Sequence, residues 1–396
     1  MAVYGIVSEF NPFHKGHEYI IQKAKEMGAE AVVCVMSGNS TQRGQIAVAD
    51  KYLRAEAALR GGADLVLELP YPWCSGSAES FAKAAISILS GVCDTVIFGS
   101  ECGDIDALSS CAYAASSEDF KAEYSDMLLK GSQSAAAYTS LMKEKVGHEV
   151  ELSSNDLLGI EYIKAALALE KRIKFVTVKR SGSGYLCDTP ADTGFSSAMA
   201  IRKMIAWGGV GEELREKLPE GSFELLCEAK ARGELTTSEK YLEAARFFFR
   251  MIPPEQISKR TECGGGVAER MFRVACESSS GKEFFESLRT KRYTDSKLRR
   301  AVLFGMTGVR DRDLDTLPAY STLLAANEKG RELLSECRRN EDSIQVVTKM
   351  TDISKLDSEG AKRQTELAGF LSAIFTFCQE NSSDVGSTQR KKPFIT

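Results

Sequence analysis

Two of the protein's three histidines fall in the run Phe13-His14-Lys15-Gly16-His17. The run follows a short apolar stretch, Val3 to Val7, that reads as a strand, and it opens a helical pattern from Gly16 to Met27. A helix N-terminus offers free N–H donors and partial positive charge, which suits a phosphate. Gly16 removes a side chain where such a group would approach the backbone. Two imidazoles at that point can donate hydrogen bonds to phosphate oxygens and stabilise a five-coordinate phosphorus, each donor contributing roughly 3–4 kcal/mol in comparable oxyanion sites. Two plainer readings stand beside this one: the histidines cap or decorate a surface helix, or His-x-x-His binds a metal. No Cys or carboxylate cluster flanks the run at zinc spacing, and a hydrolytic zinc helix calls for His-Glu-x-x-His, so no metal site is expected.

The elements around the run are those that position such a site. Strands are expected at Ala31 to Met36, Asp64 to Leu69, Asp94 to Phe98 and Ile173 to Val178. Helices are expected at Asp50 to Arg60, Ala78 to Leu89, Asp156 to Leu169 and Ser196 to Ala206. The strands are continuously apolar, as in a parallel sheet covered on both faces. Repeated strand–helix units of this kind predict an α/β fold with a doubly wound, Rossmann-like parallel sheet, which binds ligands beyond the C-terminal ends of its strands. Trp207-Gly208-Gly209-Val210-Gly211 then punctuates the chain. After it, Phe223 to Arg232, Ser238 to Met251, Val267 to Cys276, Lys297 to Gly305 and Lys329 to Cys337 read as helices and strand signals nearly vanish. The expected organisation is a catalytic domain over 1–210 and a mainly α-helical domain over 211–396, with a poorly ordered tail from Asn381 to Thr396.

Composition bounds the partners. The chain has 396 residues, enough for two cores, with 43% apolar and 27% charged residues. Lys plus Arg number 51 against 55 Asp plus Glu, a formal charge of −4, which argues against coating nucleic acid non-specifically but leaves room for a local basic patch. No basic segment leads into an apolar run at the N-terminus, and no stretch reaches the ~20 apolar residues of a membrane span. The 11 cysteines match neither a zinc ribbon nor a redox pair, and reduced thiols in a cytoplasmic protein are the expectation. Neither a membrane nor a DNA partner is expected.

His-x-Gly-His between a first strand and a first helix resembles the nucleotidyltransferase superfamily, whose members act at the α-phosphate of ATP and release pyrophosphate. Ser196-Ser197-Ala198-Met199-Ala200-Ile201-Arg202 is similar to the superfamily pattern that closes over the triphosphate, with Met199 where a Thr is usual. Simple N-capping of a helix is the other reading of the two serines. The wider text resembles the tRNA(Met) cytidine acetate ligase family. The similar segments are Val7 to His17, Met36-Ser37-Gly38-Asn39, Gln42-Arg43-Gly44, Asp50-Lys51, Phe98-Gly99-Ser100-Glu101, Ser153 to Gly159 and Lys179-Arg180. Thinner matches follow at Thr290-Lys291-Arg292-Tyr293, Leu298-Arg299-Arg300 and Gly330 to Leu334.

That resemblance implies an ATP-dependent, adenylate-forming ligase. Acetate plus ATP would give acetyl-adenylate and pyrophosphate, and the acetyl group would pass to the wobble cytidine of elongator tRNA(Met). It implies that Val7, Ser8, Glu9, Phe10, Asn11, Pro12, Phe13, His14, Lys15, Gly16, His17, Glu18, Tyr19 and Ile20 wrap the nucleotide. Gly99 and Ser100 would lie under the adenosine, Asn155, Arg180 and Ser197 would contact ATP, and Mg2+ would accompany the triphosphate. His14, His17, Lys51 and Arg180 are the expected catalytic groups, with Asp50 orienting Lys51 or a magnesium-bound triphosphate; an ordinary exposed charge is the other reading of Arg43, Asp50 and Lys51.

Lys291, Arg292, Tyr293, Lys297, Arg299 and Arg300 combine cations with an aromatic ring, which suits phosphates and an unpaired base of an RNA loop. A solvated helix face has the same composition. Arg390-Lys391-Lys392 at the tail is a second basic run. Gln45-Ile46 stands where the family carries Glu-Pro, removing a carboxylate, and Ser40-Thr41 replaces a more hydrophobic pair. Two other functions fit parts of the chain: a metabolite adenylyltransferase acting on a small phosphate or acid without RNA, and a non-catalytic nucleotide- or RNA-binding protein.

Overall fold

The computed structural model describes residues 1–130, 134–146, 153–180, 196–339 and 343–396. The third histidine, His148, and one of the 11 cysteines, Cys187, lie outside the described residues. The first half builds β1 (Val3–Ser8), α1 (Lys15–Glu26), β2 (Ala31–Ser37), α2 (Lys51–Arg60), β3 (Leu65–Leu69), α3 (Ala78–Leu89) and β4 (Thr95–Ser100). Helices α4 (Ile105–Ser116), α5 (Glu118–Leu129), α6 (Ser134–Val146) and α7 (Ser154–Ala168) precede β5 (Lys174–Lys179), and α8 (Ala198–Gly208) closes this half. The strands and helices expected here agree with these bounds to within about two residues, because each strand is an unbroken apolar run flanked by turn residues. The three helices α4–α6 between Ile105 and Val146 carry no signal that the sequence reading used.

β1 to β5 form a parallel sheet in the order β5-β4-β1-β2-β3. Every residue of β2 and β3 is buried, which is why these strands show no polar alternation. The winding direction reverses between β1 and β4, and a crevice opens there beyond the strands' C-terminal ends.

The second half is mainly helical, as expected. It contains α9 (Glu220–Ala231), α10 (Ser238–Met251), α11 (Pro254–Ile257), α12 (Val267–Glu277), α13 (Gly281–Leu288), α14 (Asp295–Thr307) and α15 (Asp311–Leu314). Phe249, Phe284 and Phe304 lie at the centre of their packing, each at most 1% exposed. After these come β6 (Tyr320–Ala326), α16 (Glu328–Cys337), β7 (Gln345–Val347), α17 (Met350–Ile353), α18 (Glu359–Cys378), α19 (Gly386–Gln389) and β8 (Phe394–Ile395).

The expectation that strands nearly vanish after residue 211 is corrected here. β6 pairs antiparallel with β3, and β7 and β8 pair with β6, so the second half extends the sheet of the first. Tyr320-Ser321-Thr322-Leu323-Leu324-Ala325-Ala326 contains leucine and alanine, strong helix formers, and only the free edge of β3 makes it a strand. The Ser321 hydroxyl donates to the Glu68 carbonyl at 2.7 Å and reinforces that pairing. The tail after Asn381 is not loose either. It forms α19 and returns to the sheet as β8, with Ala325 opposite Phe394.

Candidate active site

Beyond Ser8 the chain turns sharply through Phe10, whose φ of 42° is left-handed, and enters α1 with His14 as its N-cap. The Gly16 N–H donates to His14 Nδ1 at 3.1 Å, and the His14 N–H donates to His17 Nδ1 at 3.2 Å. This reciprocal pair satisfies two otherwise orphaned helix N–H groups, as a capping box does. The two rings stack with centroids 3.6 Å apart, and Phe10 meets His17 edge-on at 4.9 Å. Burial, followed by the nearby Arg180 and Arg202, lowers His14 to about 3. Burial, followed by His14 and Arg180, holds His17 well below its usual range. Both rings are therefore neutral at pH 7 and both Nδ1 atoms are occupied as acceptors, so each ring carries its proton on Nε2 as a donor. Capping and phosphate recognition are not rivals here: the cap fixes the tautomer that leaves the second nitrogen free to donate. Gly16 spends its N–H on His14 and does not itself face the cavity.

These rings open on a cavity of about 130 Å³ at the C-terminal ends of β1 and β4. One end is apolar, formed by Ile6, Phe81, Phe98, Leu158 and Tyr162; the other carries Asn11, His14, His17, Arg180 and Ser197. Of the residues expected to wrap a nucleotide, Val7, Ser8, Glu9, Phe10, Asn11, His14, His17, Ile20, Gly99, Asn155, Arg180 and Ser197 line it. Pro12, Phe13, Lys15, Gly16, Glu18, Tyr19 and Ser100 do not. A helix shows a ligand only one side, and the expectation took the whole run. Phe13 is fully buried beneath the site, its ring filling the space left by Gly61. Asn11 is 1% exposed, its Oδ1 accepts the Val48 N–H at 2.8 Å, and its Nδ2 has no protein partner. Ser197 caps α8 by accepting the Ala200 N–H at 3.1 Å and also lines the cavity.

The far wall is organised by two carboxylates that the sequence reading did not single out as site residues. Asp156, fully buried, accepts from the Ser100 and Ser153 hydroxyls and from the Glu101 N–H at 3.1 Å. Burial pushes its carboxyl up, but these hydrogen bonds outweigh that and hold it below the usual range. Ser100 is thereby a brace under the cavity floor. Glu101 accepts from Asn155 Nδ2 at 2.6 Å and lies 3.5 Å from Arg180 Nε, tying both side chains to the rim. Gly99 faces Arg180: an added Cβ would lie 3.1 Å from its Cγ.

Arg54 is the buried scaffold of the near wall. At 1% exposure it donates to the carbonyls of Ala49 at 2.9 Å, Glu9 at 2.7 Å, Ser37 at 3.2 Å and, most closely, Gly38. A single guanidinium thus joins the loops after β1 and β2 to the start of α2. Burial lowers Arg54 to about 10, against the upward pull of Asp50 and Glu9. Lys51 does not line the cavity. Its Nζ lies 2.6 Å from Glu68 Oε2, with the side chains 18% and 10% exposed. Burial pushes the ammonium down, yet Glu68, Tyr52 and Asp50 together outweigh it and raise its pKa. Asp50 is the N-cap of α2, accepting the Tyr52 N–H at 2.9 Å.

The basic residues expected to meet RNA divide into two groups. Lys291 and Arg292 are exposed, and Arg292 and Lys297 lie over the Tyr293 ring at 5.2 and 4.7 Å. Arg300 instead pairs with Glu262 at 2.8 Å, and Arg299 lies over Phe285 at 4.8 Å. Gly44, at φ 72°, packs against this helix so closely that a Cβ would lie 2.5 Å from the Arg300 nitrogen. The loop carrying Gln42, a cavity residue, is thus seated on α14.

Arg54, Glu68, Glu101, Asp156, Phe98 and Tyr162 complete the site. Nothing in an isolated sequence separates a buried Arg in an amphipathic helix from an exposed one, and of these six only Phe98, Glu101 and Asp156 sit inside segments that stood out. No group of three His, Cys, Asp or Glu able to hold a metal occurs among the described residues.

The family model for HIGH nucleotidyl transferases matches residues 1–389. A tRNA(Met) cytidine acetate ligase of Acetivibrio thermocellus is 35% identical over 401 residues, spanning 96% of each chain. One of Caldicellulosiruptor bescii is 35% identical over 359 residues, 88% of each. The crystal structure of Thermotoga maritima TmcAL bound with α-thio ATP superposes with a TM-score of 0.89 at 31% identity, covering 100% of both chains.

Proposed function

Since the chain belongs to the tRNA(Met) cytidine acetate ligase family of HIGH nucleotidyl transferases, we propose that it activates acetate with ATP and acetylates the wobble cytidine of elongator tRNA(Met). The observation that carries this reading is the pair of neutral, stacked imidazoles whose free Nε2–H groups open on a cavity that also holds Arg180. ATP enters with its adenine against Phe98, Leu158 and Tyr162 and its phosphates toward α1. A carboxylate oxygen of acetate attacks the α-phosphorus, and the bond to the bridging oxygen breaks to release pyrophosphate. The two Nε2–H donors meet the charge that builds on the α-phosphate oxygens. Arg180 and Asn11 Nδ2 serve the same oxygens or their neighbours, and Arg202, held to the Asn11 carbonyl at 2.8 Å, brings a further cation. Mg2+ would accompany the triphosphate, bound through the substrate phosphates and a carboxylate, and would neutralise phosphate charge. Glu9 is the carboxylate among the described lining residues.

In the second half, the exocyclic amine of the cytidine attacks the acetyl carbonyl, AMP departs, and the amine loses a proton. Neutral imidazoles placed by a helix cap do not supply a strong base, and the AMP phosphate is the natural acceptor. The exposed Lys291 and Arg292 and the half-buried Tyr293 supply RNA contacts, and a cytoplasmic location suits a tRNA substrate. No helix among the described residues is long and apolar enough to cross a membrane.

Labelled acetate, ATP and purified methionine tRNA test the proposal together with acetate-dependent ATP–pyrophosphate exchange. Label in the tRNA as acetylcytidine supports it. Exchange without label in RNA would give the activation step a different acceptor, as the metabolite adenylyltransferase reading requires. Absence of exchange would leave a nucleotide-binding protein.

A further inference from the structure

A second cavity, of about 400 Å³, is lined by Tyr52 of α2 together with residues of β6, β7 and the returning tail. Its floor is Leu323 of β6 and Val347 of β7, and Tyr52 forms one wall. Lys349, Arg390, Lys391 and Lys392 line it, and no carboxylate does among the described residues. Its size falls within the range of small-ligand pockets, about 300–1,000 Å³. Lys349 and Lys392 are exposed and have no ion-pair partner among the described residues. Arg390 pairs with Asp384 at 2.7 Å, and Lys391 lies 3.6 Å from Asp50 Oδ1, which moors the tail to the start of α2. An aromatic wall beside two cations without an ion-pair partner among the described residues, Lys349 and Lys392, is the chemistry of an unpaired nucleotide: a base against the ring, phosphates against the ammonium groups.

The Val48 N–H binds Asn11 in the first cavity, and Tyr52 lines the second. Val48 and Tyr52 are four positions apart in the chain, so their Cα atoms are at most about 14 Å apart. A few nucleotides of single-stranded RNA bridge that interval. We infer that the second cavity holds the RNA strand beside the acceptor cytidine, with Tyr52 facing a neighbouring base and Lys349 and Lys392 on flanking phosphates. This rests on the ligase reading above and extends it to a surface built by the returning tail. It also gives β8 a role: it holds Arg390 to Lys392 against the sheet.

The test uses the full chain, unmodified elongator tRNA(Met) transcript and the double variant Lys349→Gln/Lys392→Gln, both positions being at the surface. Acetate-dependent ATP–pyrophosphate exchange should stay within about twofold of wild type, since neither lysine lines the first cavity. The tRNA affinity should fall roughly tenfold, and the slope of log K against log salt should shrink by about 1.4, from two single-strand phosphates at ~0.7 each. Tyr52→Leu, checked for an unchanged melting profile, should weaken binding roughly tenfold while leaving the salt slope unchanged. A double variant with wild-type affinity and slope overturns the inference while leaving the ligase reading intact. Two ATP equivalents bound per wild-type chain, reduced to one in the double variant, would also overturn it. If wild-type protein exchanges pyrophosphate but neither binds nor acetylates the tRNA, the acceptor assignment itself falls and the inference with it.

Discussion

The rings of His14 and His17 stack 3.6 Å apart while each Nδ1 accepts a backbone N–H of the same helix turn. The backbone thus sets both tautomers, and packing against Phe10 sets the ring planes. Two donors are held ready for an anion without any rearrangement when charge develops, the condition under which such donors contribute most.

His14→Ala should therefore lower the rate of acetate-dependent pyrophosphate exchange by about 10²- to 10³-fold, the loss typical of one oxyanion donor. Loss of the cap adds about 1 kcal/mol of destabilisation. Steady-state exchange kinetics with thermal melts separate the two, and a variant that exchanges at the wild-type rate would remove the motif from the chemistry.

Acid should destabilise the protein through the same pair. Both folded pKa values lie below the unfolded 6.5, with His14 at about 3, so below pH 6.5 the unfolded chain binds more protons than the folded one. The contribution is complete above about pH 6.5 and declines toward pH 3, with a slope of at most about 1.4 kcal/mol per pH unit for each histidine. Urea midpoints between pH 7 and pH 4.5 should fall for wild type and fall less for His14→Asn.

Arg54→Met should destabilise by about 3 kcal/mol or more. It strands the carbonyls of Glu9, Ser37, Gly38 and Ala49 without donors in a buried setting. Chemical denaturation measures this, and a change below about 1 kcal/mol would show that water replaces the guanidinium.

Glu101→Ala should raise KM for ATP roughly tenfold with a smaller change in kcat. It frees Asn155 and Arg180 from the carboxylate that holds both at the rim, and one charged hydrogen bond contributes about 1.5–3 kcal/mol. An unchanged KM would show that neither side chain needs that anchor to meet the nucleotide.

The local part of the fold is legible in the sequence. An unbroken apolar strand followed by His-Lys-Gly-His says that two imidazoles stand where β1 hands over to α1, because strand period and helix start are encoded within a few residues. The parallel sheet follows from the same alternation. What it left to the tertiary structure is whatever depends on distant partners. Tyr320 to Ala326 is a strand because β3 offers an unpaired edge, and Phe394-Ile395 is ordered because β6 offers the next one. Lys51 meets Glu68 rather than the cavity, and Arg54 gathers four carbonyls from three chain segments, through contacts 16 to 45 residues apart for all but the nearest. Phe13 turns into the core while His14 beside it turns to the site, since one helix turn cannot show every residue to the same ligand. Local spacing identifies the reacting groups; long-range pairing decides which neighbours stand around them.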